Sequence, residues 1–286
     1  MDRHELRKLV IDSGILSEEQ ISVIEKEGCR VVIANGLCVS PFSGYKYYII
    51  SRYADDIIKG LKILKSAVDA EYGEIFVPAN NQAIVDRVDS YIKKAPNIFM
   101  SKIKDFYPRG LLEIFSVKLK YFSVKSPYYP GKEGVLIVPV EDLLKICFFI
   151  EHPESADLSP IVFIADDQKY FLWVKKNTVI SELLKRLKIK TQGFIIRGDL
   201  IRGQAISHPA QETVGNSSQF FVVSDTGICI SECICCGRCN EVCPVNLKTT
   251  HSMCILYGKK GVIPFKHIVG CVGCGLCSYF CPGMKK

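Results

Sequence analysis

The chain has 286 residues, 48% hydrophobic and 23% charged, a balance that excludes a mainly disordered protein and leaves room for about two domains. Its apolar runs are short, as at Gly134 to Val140, and none reaches the roughly 18–20 residues that cross a bilayer, which excludes a transmembrane segment. The net charge of +7 invites a polyanion partner, but residues 229–286 carry seven Lys/Arg against two acids while the other 228 residues carry 30 against 28. The basic excess therefore belongs to the tail, and no aromatic-interleaved basic stripe points to nucleic acid. The opening Met1 to Lys8 alternates charges and does not read as a secretory signal, so the expected location is cytoplasmic, where clustered cysteines stay thiols or metal ligands.

In chain order, Ser17-Glu-Glu-Gln20 has the form of a capping box and predicts a helix that stops at Gly28. Arg30 to Ala34 reads as a strand that ends at Asn35-Gly36. Apolar residues recur at helical spacing over 54–70, Glu74 to Val77 reads as a strand, 81–94 as a helix and 97–103 as extended. This alternation predicts an α/β domain with a largely parallel sheet over residues 1–155. Ile161 to Ala165, the Asp166-Asp167 turn and Lys169 to Val174 then predict a hairpin, followed by a helix at 179–187 and a strand at 193–196. Such a ββαβ order suits a small β-grasp domain over 156–206, and the Ser, Gln, Asn and Gly of 207–218 predict a linker, 207–228, into a tail at 229–286.

Eleven of the 14 cysteines fall in that tail. Cys233-x-x-Cys236-x-x-Cys239-x-x-x-Cys243-Pro244 and Cys271-x-x-Cys274-x-x-Cys277-x-x-x-Cys281-Pro282 are two copies of one pattern. Three cysteines at this spacing wrap three corners of a cubane, and the fourth points away to ligate the other cluster, as in two-cluster ferredoxins. The expected sets are therefore Cys233, Cys236, Cys239 and Cys281 for one [4Fe–4S] cluster, and Cys271, Cys274, Cys277 and Cys243 for the second. Structural zinc is the competing reading, but zinc sites use two separated pairs rather than four cysteines within eleven residues, twice over. Cys229, Cys235 and Cys254 are left as tail thiols, with Cys235 beside Cys236 as a ligand alternative, and Cys29, Cys38 and Cys147 as core thiols. Anionic clusters in the tail would offset most of its positive charge.

The order of these parts resembles the C subunit of the Rnf electron-transport complex, itself similar to the NADH-binding flavoprotein subunit of respiratory complex I. Four segments carry the resemblance: Asn35-Gly-Leu-Cys-Val-Ser-Pro41, Tyr107-Pro-Arg-Gly110, Pro139-Val-Glu-Asp-Leu143 and Ile196-Arg-Gly-Asp-Leu-Ile-Arg-Gly203. It implies a fold of three parts: a Rossmann-like flavoprotein-type α/β domain, a small β-grasp (SLBB-like) domain and a C-terminal α-helical, bacterial-ferredoxin-like dicluster module. It also implies FMN and NADH sites, and there the chain departs from the family. The family holds phosphate on a glycine-rich N-terminal loop, whereas only Gly14 and Gly28 occur in the first 30 residues here. Two acidic positions of the Asn-Gly loop are Cys38 and Ser40, and a flavin, were one retained, would meet Asn35 and Glu141.

The expected function is therefore an iron–sulfur subunit with two [4Fe–4S] clusters, no FMN and no substrate site of its own. It would relay electrons between a partner flavoprotein and a terminal oxidoreductase in a hetero-oligomeric complex of anaerobic metabolism, with no nucleic acid and with membrane association only through partners. The alternative is an active, FMN-containing, NADH-oxidising Rnf C-type subunit.

Overall fold

The computed structural model describes residues 2–26, 28–111, 134–190, 193–224, 229–230, 233–247 and 271–285. The first half is built on four parallel strands, β1 (Val31–Asn35), β2 (Tyr72–Pro78), β3 (Ile98–Ile103) and β4 (Val135–Pro139), in the order β3-β2-β1-β4. All five residues of β1 are buried, as expected of an inner strand in a parallel sheet covered on both faces. Successive side chains alternate between two cores: Val32, Ala34, Ile75, Val77, Leu136 and Val138 face one, and Val31, Ile33, Phe76, Val135 and Ile137 the other.

The first of these cores is shared with α3 (Tyr45–Ala67), α4 (Gln82–Ile92) and α5 (Val140–Glu151), with α1 (Arg3–Asp12) laid against α3. The predicted capping box opens α2 (Glu18–Glu25): Ser17 Oγ accepts from Gln20 N, and Gln20 Oε1 accepts from Ser17 N. Gln20 also donates Nε2 to Ile137 O at 2.9 Å, which satisfies a carbonyl on β4, the edge strand. Helix α3 starts nine residues before the periodic stretch that announced it, with a break in helical geometry at Tyr53. The early half escaped periodicity because Tyr45, Lys46, Ile49 and Ile50 are all buried, leaving no clean polar face to read.

Gly60, inside α3, lets that helix approach α5 closely. A Cβ there would lie 2.0 Å from Leu143 O. Gly60→Ala should therefore destabilise the fold by about 1–3 kcal/mol in spite of alanine's better helix propensity, seen as a lower thermal midpoint.

The second sheet contains β5 (Leu158–Ala165), β6 (Gln168–Lys175), β7 (Gly193–Arg197), β8 (Gln204–Ile206) and β9 (Gln219–Ser224), in the order β6-β5-β9-β7-β8. Strands β5 and β9 are parallel and every other pair is antiparallel. Asp166 and Asp167 both take positive φ, 47° and 61°, the geometry a two-residue hairpin turn needs. Helix α6 (Ile180–Leu187) closes the core with Leu183 and Ile180 against Phe163 and Phe220. Strand β9 lies in the stretch expected to be a linker, where the polar run 207–218 hid the following Phe220-Phe-Val-Val223. The β5–β6 hairpin packs on the parallel-sheet half: Phe171 stacks on Tyr48, and Trp173 Nε1 donates to Tyr53 Oη at 3.1 Å.

The tail forms two four-residue helices in mutual contact, α7 (Arg238–Glu241) and α8 (Leu276–Tyr279), and a short antiparallel pairing of β10 (Cys229–Ile230) with β11 (Met284–Lys285). Among the described residues, no helix is long and apolar enough to cross a membrane.

Candidate metal centre

The two tail motifs fold alike. Cys235 N donates to Cys233 Sγ at 3.4 Å, and at the same place in the second copy Gly273 N donates to Cys271 Sγ at 3.4 Å. Both donors take positive φ, 55° and 61°, which turns the N–H back onto the sulfur. Cys239 and Cys277 follow in the helices α7 and α8, and Leu247 N donates to Cys243 Sγ at 3.2 Å.

An open cavity of about 390 Å³ is lined by Cys233, Cys236 and Cys239 of the first motif together with Cys281 of the second. Cys277 of the second motif lines it as well, so thiols of both motifs meet in this cavity. In that second set burial pushes the Cys274 thiol up, and the nearby thiols of Cys277, Cys243 and Cys271 raise it further. Cys281 thus shares a cavity with the first three cysteines of the other motif. Cys254 and the side chain of Cys229 lie outside the described residues.

The spacing bears on the metal. A tetrahedral zinc with Zn–S bonds of about 2.3 Å draws its sulfurs to within about 4 Å of one another. Among the described residues, the one three-ligand group with donors that close together, within 4.8 Å, is Asp56, Cys147 and Glu151, far along the chain from the tail. Among the described residues, no three tail thiols come that close together, so they form no ready-made mononuclear site. With all-sulfur donors and N–H groups turned onto sulfur, the residues fit iron–sulfur ligation. Cys29 and Cys147 are buried in the α/β core, and burial pushes them up to about 11 and about 12, which keeps them protonated and inert.

The second motif is docked on the rest of the chain. Leu111, Val272 and Cys274 are buried together, with Val39, Tyr107 and Leu276 packed around them. Tyr107, in the Tyr-Pro-Arg-Gly turn, donates its hydroxyl to Cys274 O. The loops it meets, after β1 and after β3, lie at the carboxyl ends of the parallel strands. Between β1 and β4 the order of the sheet reverses, and a doubly wound sheet opens its ligand crevice at that point.

At that point a small pocket remains, lined by Cys38 to Ser40, Ser43 to Tyr47 and Gln219, and a buried ion pair lies beside it. Asn35 ends β1, donates Nδ2 to Gly110 O at 2.9 Å and accepts at Oδ1 from Leu37 N at 3.1 Å, so its amide holds the loop. Glu141 opens α5 opposite it, and Lys46, only 4% exposed, lies between them. Lys46 Nζ donates to Asn35 O at 2.9 Å and stands 3.7 Å from Glu141 Oε2. Burial raises the Glu141 carboxyl, and the Lys46 ammonium opposes that rise. Asp105 accepts from Cys38 N and from Tyr47 Oη, both at 2.8 Å, and burial pushes the Cys38 thiol up. Sequence reasoning found Asn35 and Glu141 but missed Lys46. A lysine inside an aromatic stretch, Tyr45-Lys-Tyr-Tyr48, gives no period that marks it as buried.

The sequence pattern described as the Nuo51 FMN-binding domain matches residues 16–147. The C subunit of an ion-translocating oxidoreductase complex from Buchnera aphidicola is 24% identical over 263 residues, covering 88% of this chain and 55% of that protein. Along most of its length the chain is similar to the C subunits of Rnf complexes. The C subunit of the Na(+)-translocating ferredoxin:NAD(+) oxidoreductase complex of Acetobacterium woodii is 21% identical over 275 residues, covering 87% of this chain and 59% of that protein. This Rnf C-like chain therefore spans little more than half the length of these relatives. Its fold is that of a chain in the NAD+-reducing [NiFe]-hydrogenase, with a TM-score of 0.63 at 11% identity over 78% of this chain and 47% of that one.

Proposed function

We propose that this Rnf C-like protein is an electron-transfer subunit that relays single electrons through two [4Fe–4S] clusters, between a partner flavoprotein and a terminal oxidoreductase. The observation that carries the proposal is the crossed cavity, in which Cys281 of the second motif joins Cys233, Cys236 and Cys239 of the first. Crossed ligation places two clusters side by side, the arrangement of two-cluster ferredoxins. The clusters supply the one-electron chemistry. The chain fixes their separation, directs N–H groups at their sulfurs and sets how much water reaches each. In this reading residues 1–155 are a flavoprotein-type scaffold, the β5–β9 sheet a β-grasp (SLBB-like) module, and 229–286 the dicluster module.

The match of an FMN-binding family to residues 16–147 favours a second reading, an FMN-containing NADH oxidase subunit. Against it stand the buried Lys46–Glu141 pair at the switch point and the sparse glycine of the first 30 residues. Cofactor content separates the two readings. Protein purified anaerobically, with its clusters reconstituted, should hold about eight irons per chain and release no flavin on denaturation. Stoichiometric FMN, with clusters that bleach on adding NADH, would establish the second reading instead.

A further inference from the structure

The two cluster sites are sequence repeats, yet their surroundings differ at three matched positions. Ile234 in the first loop is 69% exposed, and its counterpart in the second, Val272, is 7% exposed. Arg238 opens α7 at the rim of the first cavity, whereas Leu276 opens α8 in the apolar contact with Leu111. Among the described residues, no atom stands within 4 Å of where a Cβ at Gly237 would be, while at Gly275 the same test meets Ile201 Cγ2 at 2.5 Å. Ile201 comes from the turn between β7 and β8, fixed by Asp199 Oδ1, which accepts from Ile201 N and Arg202 N at 2.8 and 2.7 Å. The second loop is thus clamped between that turn and the Tyr107–Leu111 segment, and the first faces solvent. Arg202, beside the clamp, is neutralised by Asp199 at 2.9 Å.

We propose that the second site, Cys271, Cys274, Cys277 and Cys243, holds the low-potential cluster, and that electrons run from it to the first. Reduction adds one negative charge to a cluster. An apolar, water-poor wall disfavours that added charge, whereas solvent and a cation such as Arg238 at the cavity rim favour it. With both clusters bound, the transfer would move one electron from the site of Cys271, Cys274, Cys277 and Cys243 to that of Cys233, Cys236, Cys239 and Cys281. No bond forms and no proton moves. The donor is the reduced flavin of the partner protein, and the acceptor is a one-electron centre of the terminal oxidoreductase. The crevice loops, at the carboxyl ends of the parallel strands, would then serve as the insulating wall of the entry cluster. The inference rests on the two-cluster reading and adds a direction to it.

The test is an anaerobic potentiometric titration of the reconstituted full chain, followed by electron paramagnetic resonance. Cys281→Ser and Cys243→Ser supply the reference spectra of the second and first clusters respectively. The first cluster should be reduced at the higher potential, with a reduced-to-oxidised ratio at least tenfold above that of the second, about 59 mV for one-electron couples. Leu111→Asn, which brings a polar group into the wall, should raise the second potential alone, and Arg238→Gln should lower the first alone. A second cluster that is reduced before the first, or a Leu111→Asn that moves both potentials or neither, would overturn the proposal. A chain that holds only about four irons would instead overturn the two-cluster reading beneath it.

Discussion

Cys281→Ser should remove the same cluster as Cys233→Ser, although the two residues lie in different motifs. Each variant is expected to lose about four of about eight irons and to leave one identical spectrum, that of the second cluster. Cys243→Ser and Cys271→Ser should share the complementary spectrum. The double variants sharpen the result. Cys233→Ser/Cys281→Ser should lose no more iron than either single change, because both strike one cluster. Cys233→Ser/Cys271→Ser should lose nearly all of it. If each motif held its own cluster, the pairing would invert, and Cys281→Ser would match Cys271→Ser. The physical basis is the cavity shared by Cys281 with Cys233, Cys236 and Cys239. Cys235 enters the same experiment. Its N–H is turned onto Cys233 Sγ and it takes a φ of 55° where the second motif uses Gly273, so its backbone contributes to the site. Cys235→Gly should keep full iron content, and iron loss comparable to Cys236→Ser would make its thiol a ligand.

The tail motifs were readable because ligand spacing is a local property: three residues per step fixes which sulfurs can meet one metal cluster. The capping box at Ser17 and the Asp166-Asp167 turn were legible for the same reason, since each bonding pattern closes within four residues. Strand β9 was not. Its place between β5 and β7 depends on partners far away in sequence, and the polar stretch before it resembles any surface loop. The state of the crevice was half legible. Asn35 and Glu141 follow from the resemblance, but what fills the space between them is Lys46, 11 residues beyond Asn35 and carried inward by the unexpected first turns of α3. The difference between the two cluster sites was invisible for a related reason. Sequence repeats match residue by residue, and only the docking of Tyr107, Leu111 and Ile201 onto one copy distinguishes their environments.

Lys46→Met should be the most damaging single change in the α/β half. It leaves the largely buried Glu141 carboxylate without its nearest cation, and breaking a buried pair by removing one member costs about 3–5 kcal/mol. That is a large part of the roughly 5–15 kcal/mol that holds a domain folded. The loss should depend on pH in a defined direction. Burial already raises the Glu141 carboxyl, with the Lys46 ammonium holding the rise in check. A carboxyl whose folded pKa lies above its unfolded value, about 4.3, is a group on which the native state binds more protons than the unfolded state. Its contribution to stability is therefore most favourable below the unfolded pKa and falls as pH climbs towards the folded one. Removing Lys46 pushes the folded value higher and extends that fall upwards. The variant should consequently lose least at pH 5 and most at pH 8, measured as urea midpoints by circular dichroism. Lys46→Met/Glu141→Gln should recover most of the loss and flatten the pH dependence, because no buried charge remains. An equal loss at both pH values, or a double variant no more stable than Lys46→Met, would show that the lysine acts through its stem packing and its bond to Asn35 O, and not as the counter-ion of Glu141.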